Sequence, residues 1–167
     1  MKWLIVLLMF GLAARGQQNK ATPKPEIHWK LDHNKWITGG LIFLAGASKG
    51  FNETLTFHWT SFHKKFCNAS PRWFNPKVSW RNKYKDNDPG KGARFPLSTS
   101  VLIMFTDQYH LNNFINRTSW TIATVIKIGE KKKPFKYYLK DLLYYSFCHQ
   151  AGFALTYYPF TDNPDGP

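Results

Sequence analysis

Apolar residues recur at steps of three or four over long stretches of this chain, and this spacing restricts the fold more than any other feature. The first stretch runs from about Lys35 to Phe66. Its periodic residues are Leu44, Ala47, Phe51, Leu55, Trp59, Phe62 and Phe66. Such spacing places side chains on one face of an α-helix. We therefore predict one long helix, with a break near Gly50 as the alternative.

Glycines are frequent within this predicted helix. They are Gly39, Gly40, Gly46 and Gly50. Each weakens a helix by up to ~1 kcal/mol relative to alanine. Small residues at these positions therefore indicate a compensating reason, such as the close approach of a second helix.

Two further stretches have the same period. Ser98 or Thr99 can cap a second helix that runs toward Gly129. Its apolar residues are Val101, Leu102, Phe105, Leu111, Ile115, Ile122 and Ile126. Pro134 suits the first turn of a third helix, which Pro159 ends. Its periodic residues are Tyr138, Leu142, Tyr145, His149, Gly152, Phe153 and Thr156.

The three stretches predict an all-α domain, a small bundle of three or more helices over residues 35–160. The β-branched cluster Thr121 to Ile126 is the main feature that favours a strand instead. Residues Pro71 to Pro96 have no period and are rich in aromatic and basic side chains. They predict a long loop, which in a small domain is more often functional or interfacial than a plain connector.

The first sixteen residues are typical of a cleavable signal peptide. Lys2 precedes an apolar run from Trp3, and Ala14 and Gly16 are small residues at the positions read by signal peptidase. Only twelve uncharged residues separate Lys2 from Arg15, whereas an uncleaved anchor needs ~20. We predict cleavage before Gln17, export, a flexible tether over residues 17–34 and a disordered tail over residues 161–167.

Membrane-spanning helices are disfavoured in the rest of the chain. Only Leu142 to Thr161, with 20 uncharged residues, is long enough to span a bilayer, and it contains His149 and Gln150. We predict a water-soluble or surface-bound bundle, periplasmic or membrane-associated, and leave open whether Leu142 to Thr161 is embedded.

The charge balance points to anionic partners. The chain carries a net charge of +13, and without residues 1–16 it would have 21 basic and 10 acidic side chains. An exported protein meets little nucleic acid, so we expect an anionic membrane surface or envelope polymer as partner, and no nucleic acid. The alternative is that the charge only maintains solubility.

Cys67 and Cys148 are the two cysteines of the chain. An oxidising compartment permits a Cys67 to Cys148 disulfide, and two free thiols are the alternative. The absence of a Cys-x-x-Cys spacing argues against zinc. No motif for another metal or for a cofactor is present, so we expect neither.

Asp107 and His110 are the first candidates for chemistry. Three residues apart on a helix, they can touch, and an Asp–His pair can orient an imidazole for acid–base catalysis or offer two ligands to a metal. A satisfied polar pair at a helix start is the alternative. Glu53 is a third candidate if it points inward, but Lys49 lies one turn before it, where a surface ion pair would form.

The loop segment from Trp80 to Lys85 is a candidate ligand-binding site. It consists of Trp80, Arg81, Asn82, Lys83, Tyr84 and Lys85. Arginine and lysine bind oxyanions, and tryptophan and tyrosine suit a headgroup boundary. The alternative is a solvated basic loop with Trp80 buried in the core.

Three segments resemble an uncharacterised family of small bacterial envelope proteins, exported or membrane-associated. They are residues 45–53 (AGASKGFNE), 79–85 (SWRNKYK) and 106–111 (TDQYHL). The resemblance covers about residues 36–160 and implies a helical protein in a bacterial envelope, with no activity assigned. Asp107 and His110 are also similar to the aspartate and histidine in the signature of VanZ-like and YfiM-like membrane-associated proteins, where a lysine stands in place of Gln108.

These observations predict a non-enzymatic envelope protein that binds an anionic lipid or envelope surface through its basic aromatic loop. The first alternative is a hydrolase or transferase acting on a phosphorylated lipid or glycan. In it His110 is the base, Asp107 orients it and Glu53 is the acid, while Arg81 and Lys83 hold phosphate. The second alternative is a structural subunit with a protein partner.

Overall fold

The structure, a computed structural model, describes residues 29–161, and this part of the chain folds into a bundle of six α-helices. In chain order they are α1 (His33–Phe57), α2 (Trp59–Lys65), α3 (Pro71–Phe74), α4 (Pro76–Ser79), α5 (Gln108–Ile128) and α6 (Phe135–Tyr157). Helix α1 packs along both α5 and α6 and is the centre of the bundle. Residues 29–161 contain no β-strand, only an isolated bridge between Tyr84 and Ala93. The predicted all-α class is confirmed.

The first predicted helix is divided in two, but the break lies at His58 and not near Gly50. Helix α1 passes through Gly50 without a break and ends at Phe57. His58 leaves the helical region with φ −122° and ψ 33°, and α2 starts directly after it. At its other end α1 begins at His33, inside the segment predicted as a tether, with the Asp32 side chain accepting a hydrogen bond from the Lys35 backbone.

Glycines bring α1 and α6 into backbone contact. A Cβ atom built on Gly46 would lie 2.0 Å from the carbonyl oxygen of His149, and one on Gly152 would lie 2.1 Å from that of Phe43. Both distances are too short for any side chain. The close helix–helix approach expected from the glycines of α1 is confirmed.

The second predicted helix begins about ten residues later than expected. Ser98 and Thr99 do not cap it, because Ser98 is occupied in the loop, where its hydroxyl donates to the carbonyl oxygen of Lys83 at 2.7 Å. Leu97 just before it has a positive φ of 63°. Asp107 is the actual N-cap of α5, and residues between form turns and a 3₁₀ helix over Ile103–Phe105. The β-branched cluster Thr121 to Ile126, which favoured a strand, forms part of helix α5.

The third predicted helix and the loop come closer to expectation. Helix α6 starts directly after Pro134, and a 3₁₀ turn over Tyr158–Phe160 follows its end. The segment Pro71 to Pro96 contains no long helix. It folds as α3, α4 and the 3₁₀ turns Trp80–Lys83, Lys85–Asn87 and Pro89–Lys91.

Both cysteines are free thiols in the structure, so the predicted disulfide is not formed. Cys67 lies exposed in the turn after α2, and Cys148 lies partly buried within α6. Among the helices of residues 29–161, none combines the length and the apolar character that crossing a membrane requires. The predicted signal peptide, residues 17–28 of the tether and residues 162–167 of the tail lie outside the described residues.

Candidate functional site

Asp107 fixes the orientation of His110 at the start of α5. The Asp107 side chain is fully buried, and one carboxylate oxygen accepts a hydrogen bond from the His110 backbone at 2.9 Å. The other accepts from the Thr106 hydroxyl at 3.0 Å and lies 2.7 Å from Nδ1 of His110. Since a carboxylate can only accept, Nδ1 carries the proton in this pair, and Nε2 is left for another partner. The contact predicted from the three-residue spacing is present.

A group of side-chain amides holds this end of α5 against α1. The amide nitrogen of Asn52 donates to the carbonyl oxygen of Tyr109 at 3.1 Å and to the Asn113 side chain at 3.2 Å. Asn112 donates to the Asn52 oxygen at 2.9 Å and accepts from Gln108 at 2.9 Å. Asn52 and Asn112 are buried, and satisfied buried polar groups of this kind rigidify their surroundings.

His110 faces a cavity of about 420 Å³. Its side chain is 21% exposed, although the Asp107 behind it is buried. The cavity is lined by Ser100, Val101, Ile103, Met104, Tyr109, His110, Asn113, Phe114 and Arg117. It therefore has a polar wall contributed by α5 and an apolar wall contributed mainly by residues 101–104. Within residues 29–161, no third His, Cys, Asp or Glu joins the pair in a group that could hold a metal ion.

Glu53 does not take part in this arrangement. Its carboxylate pairs with the Lys49 ammonium on the surface of α1, which is the alternative that the spacing offered. Arg81 and Lys83 are not among the residues lining the His110 cavity either. Of the predicted catalytic set, the structure brings together Asp107 and His110.

Asn82, the one side-chain amide of the loop segment Trp80 to Lys85, helps to hold this segment in place. Asn82 donates to the carbonyl oxygens of Arg72 and Thr106, so it serves the loop's own structure. The Arg81 guanidinium lies over the Trp80 ring at 5.3 Å, and the Lys83 ammonium lies over the Tyr84 ring at 5.3 Å.

A polar cavity adjoins this loop. Its volume is about 390 Å³, and it is lined by Arg72, Trp73, Asn82, Tyr84, Asp86, Asn87 and Arg94. Arg72 and Arg94 were not predicted as site residues. They lie 22 positions apart, so only the folded loop brings them to one cavity.

An ionic cluster lies at the other end of α5. Lys127 pairs with Glu130 at 2.8 Å and with the buried Asp141 of α6, which also accepts from the Trp29 indole at 2.8 Å. Burial disfavours the Lys127 ammonium, yet hydrogen bonds to Asp141 and Glu130 outweigh this effect and raise its pKa above the usual 10.5. The cluster was missed because Lys127 and Asp141 meet only when α5 and α6 are in place.

The outward side of α6 is apolar. Phe135, Leu139, Leu142 and Leu143, here called the α6 apolar stripe, are 50 to 80% exposed. Their spacing of four, three and one residues places them on one face. By contrast, the α6 residues buried in the bundle are Tyr137, Asp141 and Gly152.

Lysines border the α6 apolar stripe. Lys131 and Lys132 precede α6, and Lys136 and Lys140 lie within its first two turns, all exposed. Among residues 29–161, these four lysines form no ion pair with a carboxylate. Helix α6 therefore presents an apolar face with unpaired cations along its edge.

No protein-family model, no curated protein and no solved structure matches this chain. The assignment of a function therefore depends on the chemistry of the described residues.

Proposed function

We propose that this protein binds anionic lipid surfaces, with the α6 apolar stripe lying in the headgroup boundary. The main observation in support is that α6 exposes large apolar side chains on the side that faces away from the bundle. Phe135 is 80% exposed and Leu143 is 65% exposed. A contiguous exposed apolar patch of this kind is typical of an interaction surface.

The lysines support lipid as the occupant of this surface. Lys131, Lys132, Lys136 and Lys140 lie beside the α6 apolar stripe and lack ion-pair partners in residues 29–161. An amphipathic face edged by lysines is the usual design of a helix that lies in the membrane interface. Each cation near an anionic headgroup contributes ~1 kcal/mol. The excess of basic side chains that remains without residues 1–16, 21 against 10 acidic ones, also attracts the protein to anionic lipid.

The apolar side chains supply the second part of the affinity. Moving a leucine side chain from water to an apolar environment contributes about 1.5–3 kcal/mol. Three leucines and Phe135 together therefore suffice for reversible attachment without a membrane-spanning segment. The exposed Arg81 and Lys85 of the loop offer a further cationic contact. Export by the predicted signal peptide would bring these surfaces to the lipids of the cell envelope.

The test is co-sedimentation of the protein with vesicles of phosphatidylcholine, alone and mixed with phosphatidylglycerol. We expect binding that requires the anionic lipid and weakens with salt. Replacing Leu139, Leu142 and Leu143 by serine should lower the partition coefficient at least tenfold, since ~1.4 kcal/mol is a factor of ten. The matched control is the triple serine variant of Val78, Ile122 and Val125, exposed apolar residues outside α6. This control should bind like the wild type.

A second set of variants separates the two cationic contacts. Lys136→Gln with Lys140→Gln should flatten the salt dependence more than Arg81→Gln, Lys83→Gln and Lys85→Gln together. If the loop variant flattens the salt dependence more than the α6 variant does, the cationic contact with the vesicle is made by the loop. If the wild-type protein does not bind anionic vesicles at low salt, the proposal is overturned.

A further inference from the structure

We infer that the cavity beside His110 binds a phosphate monoester group, with Nε2 of His110 and the guanidinium of Arg117 as its ligands. This inference goes beyond the proposed lipid-surface binding and does not depend on it. It rests on the Asp107–His110 pair, on the position of Arg117 and on the shape of the cavity.

Asp107 leaves His110 with one unused nitrogen at a defined position. The carboxylate is buried and accepts three hydrogen bonds, two of them from His110 itself. Within residues 29–161, Nε2 of His110 has no hydrogen-bond partner, while its ring lines the cavity. The ring is therefore held in advance for a ligand, which lowers the entropy lost on binding.

Arg117 contributes a permanent positive charge to the same cavity. It lies seven residues after His110 on α5, which is two turns along the same face, and Asn113 lies between them. All three residues line the cavity. Arg117 makes no ion pair within residues 29–161. A guanidinium without a carboxylate partner, aligned with a histidine, suits an oxyanion, to which it can donate two parallel hydrogen bonds.

The histidine favours a monoester over a diester. A phosphate monoester carries an ionisable proton near neutral pH, since its second dissociation occurs at about pH 6. It can share one proton with Nε2 in either direction, as donor to a neutral imidazole or as acceptor from an imidazolium. A diester lacks this proton and interacts only with the imidazolium. Monoester binding therefore uses both protonation states of His110.

The apolar residues that line the His110 cavity indicate the kind of group that is attached to the phosphate. Val101, Met104 and Phe114 form an apolar part of the cavity, and its volume of about 420 Å³ exceeds that of phosphate alone. The ligand class is thus a phosphate monoester with a partly apolar remainder. A lipid such as phosphatidic acid and a soluble phosphorylated metabolite share this chemistry.

The first experiment follows the ring resonances of His110 by NMR while the full-length protein is titrated with methyl phosphate or dimethyl phosphate. His110→Gln assigns the signal. We expect methyl phosphate to shift it at a lower concentration than dimethyl phosphate does. Arg117→Gln should weaken methyl phosphate binding about tenfold or more. The matched control Arg94→Gln, in the loop cavity, should leave the affinity unchanged.

Three results would overturn the inference. They are a His110 signal that methyl phosphate does not move, equal binding of the two esters, and an affinity that Arg117→Gln leaves intact. Because Arg117 is exposed, its substitution should not affect folding, which circular dichroism checks.

The second experiment identifies the source of the monoester. Vesicle binding is compared between phosphatidic acid and phosphatidylglycerol at equal surface charge. A preference for phosphatidic acid that disappears in Arg117→Gln assigns the site to a lipid headgroup. Equal binding of the two vesicles, together with methyl phosphate binding, assigns it to a soluble ligand. If no vesicle binds but methyl phosphate does, the proposed function fails and this site stands.

Discussion

The two sides of α6 differ in the residues they present. Toward the bundle the helix turns Tyr137, Asp141 and Gly152, and away from it lie the leucines of the α6 apolar stripe. A water-soluble helix normally has the opposite arrangement, with an apolar stripe facing the core. Close backbone contact at Gly46 and Gly152, together with the hydrogen bonds of Thr54 and Thr156, holds α6 to α1, while the leucines of α6 stay exposed.

Helix α1 shows part of the same contrast, although it also buries Ile42 and Leu55. Thr38, Ser48 and Asn52 are buried, whereas Trp36 is 63% exposed. Small and polar residues at helix–helix contacts, with large apolar residues outside, are typical of helices packed in an apolar environment. The contrast supports the proposal that part of this molecule works at a lipid surface, and it leads to four predictions about stability.

The largest expected loss of stability follows from Asp141→Ala. This change removes the more deeply buried of the two carboxylates that pair with Lys127, and it removes the acceptor of the Trp29 indole. Breaking a buried pair in this way costs about 3–5 kcal/mol. Urea unfolding followed by circular dichroism measures the loss. Lys91→Ala, which breaks an exposed pair with Asp86, is the control and should cost at most about 1 kcal/mol. Equal losses would contradict the view that the buried contact stabilises the bundle.

The next effect concerns the glycine contact between α1 and α6. In Gly46→Ala the new Cβ meets the backbone of His149, so we expect destabilisation of about 1–3 kcal/mol from overpacking. Gly40→Ala is the matched control in the same helix, because nothing lies within 4 Å of its Cβ position. That change should stabilise the protein by up to ~1 kcal/mol through helix propensity. Thermal unfolding of both variants gives the comparison, and effects of the same sign would refute it.

A pH dependence follows from Glu130. Burial opposes its ionisation, but hydrogen bonds from Lys127 and Lys133 outweigh burial and hold its pKa below the ordinary 4.5. A group with a lowered folded-state pKa contributes stability above its unfolded pKa and loses it as pH falls through the folded pKa. Glu130→Gln should therefore be less stable than the wild type at neutral pH, and the difference should disappear in acid. Urea midpoints measured against pH test this, and a difference that grows in acid would contradict it.

The smallest effect on stability is expected on the outward side of α6. Leu142→Ser changes an exposed side chain, so the free energy of unfolding in lipid-free buffer should shift by no more than about 0.5 kcal/mol. A loss of several kcal/mol would mean that the α6 apolar stripe is part of the folded core. Chemical denaturation of the purified variant provides the measurement.

Periodicity was sufficient to predict the three long helices and the all-α class, because their apolar residues repeat over many turns. It did not predict where they end. The break at His58 has no glycine or proline to mark it, and Val101 and Leu102 extend the period into residues that form turns.

For the candidate site, local spacing predicted the contacts of Asp107 with His110 and of Lys49 with Glu53. The contact between Lys127 and Asp141 depends on tertiary packing and could not be read from spacing. The exposure of Leu142 could not be read either, since a helical period shows which residues share a face and not which face is buried.

The accessibility of a spin label measures directly whether the outward side of α6 enters the lipid. With Cys67 and Cys148 replaced by serine, a label is attached to the cysteine of Leu142→Cys, and a second variant carries it at position 121, an exposed threonine of α5. The collision rates of the label with oxygen and with a water-soluble nickel complex are compared with and without anionic vesicles. We expect vesicles to raise the oxygen rate and lower the nickel rate at position 142, and to leave both rates at position 121 unchanged. Unchanged rates at position 142 on vesicle-bound protein would contradict it.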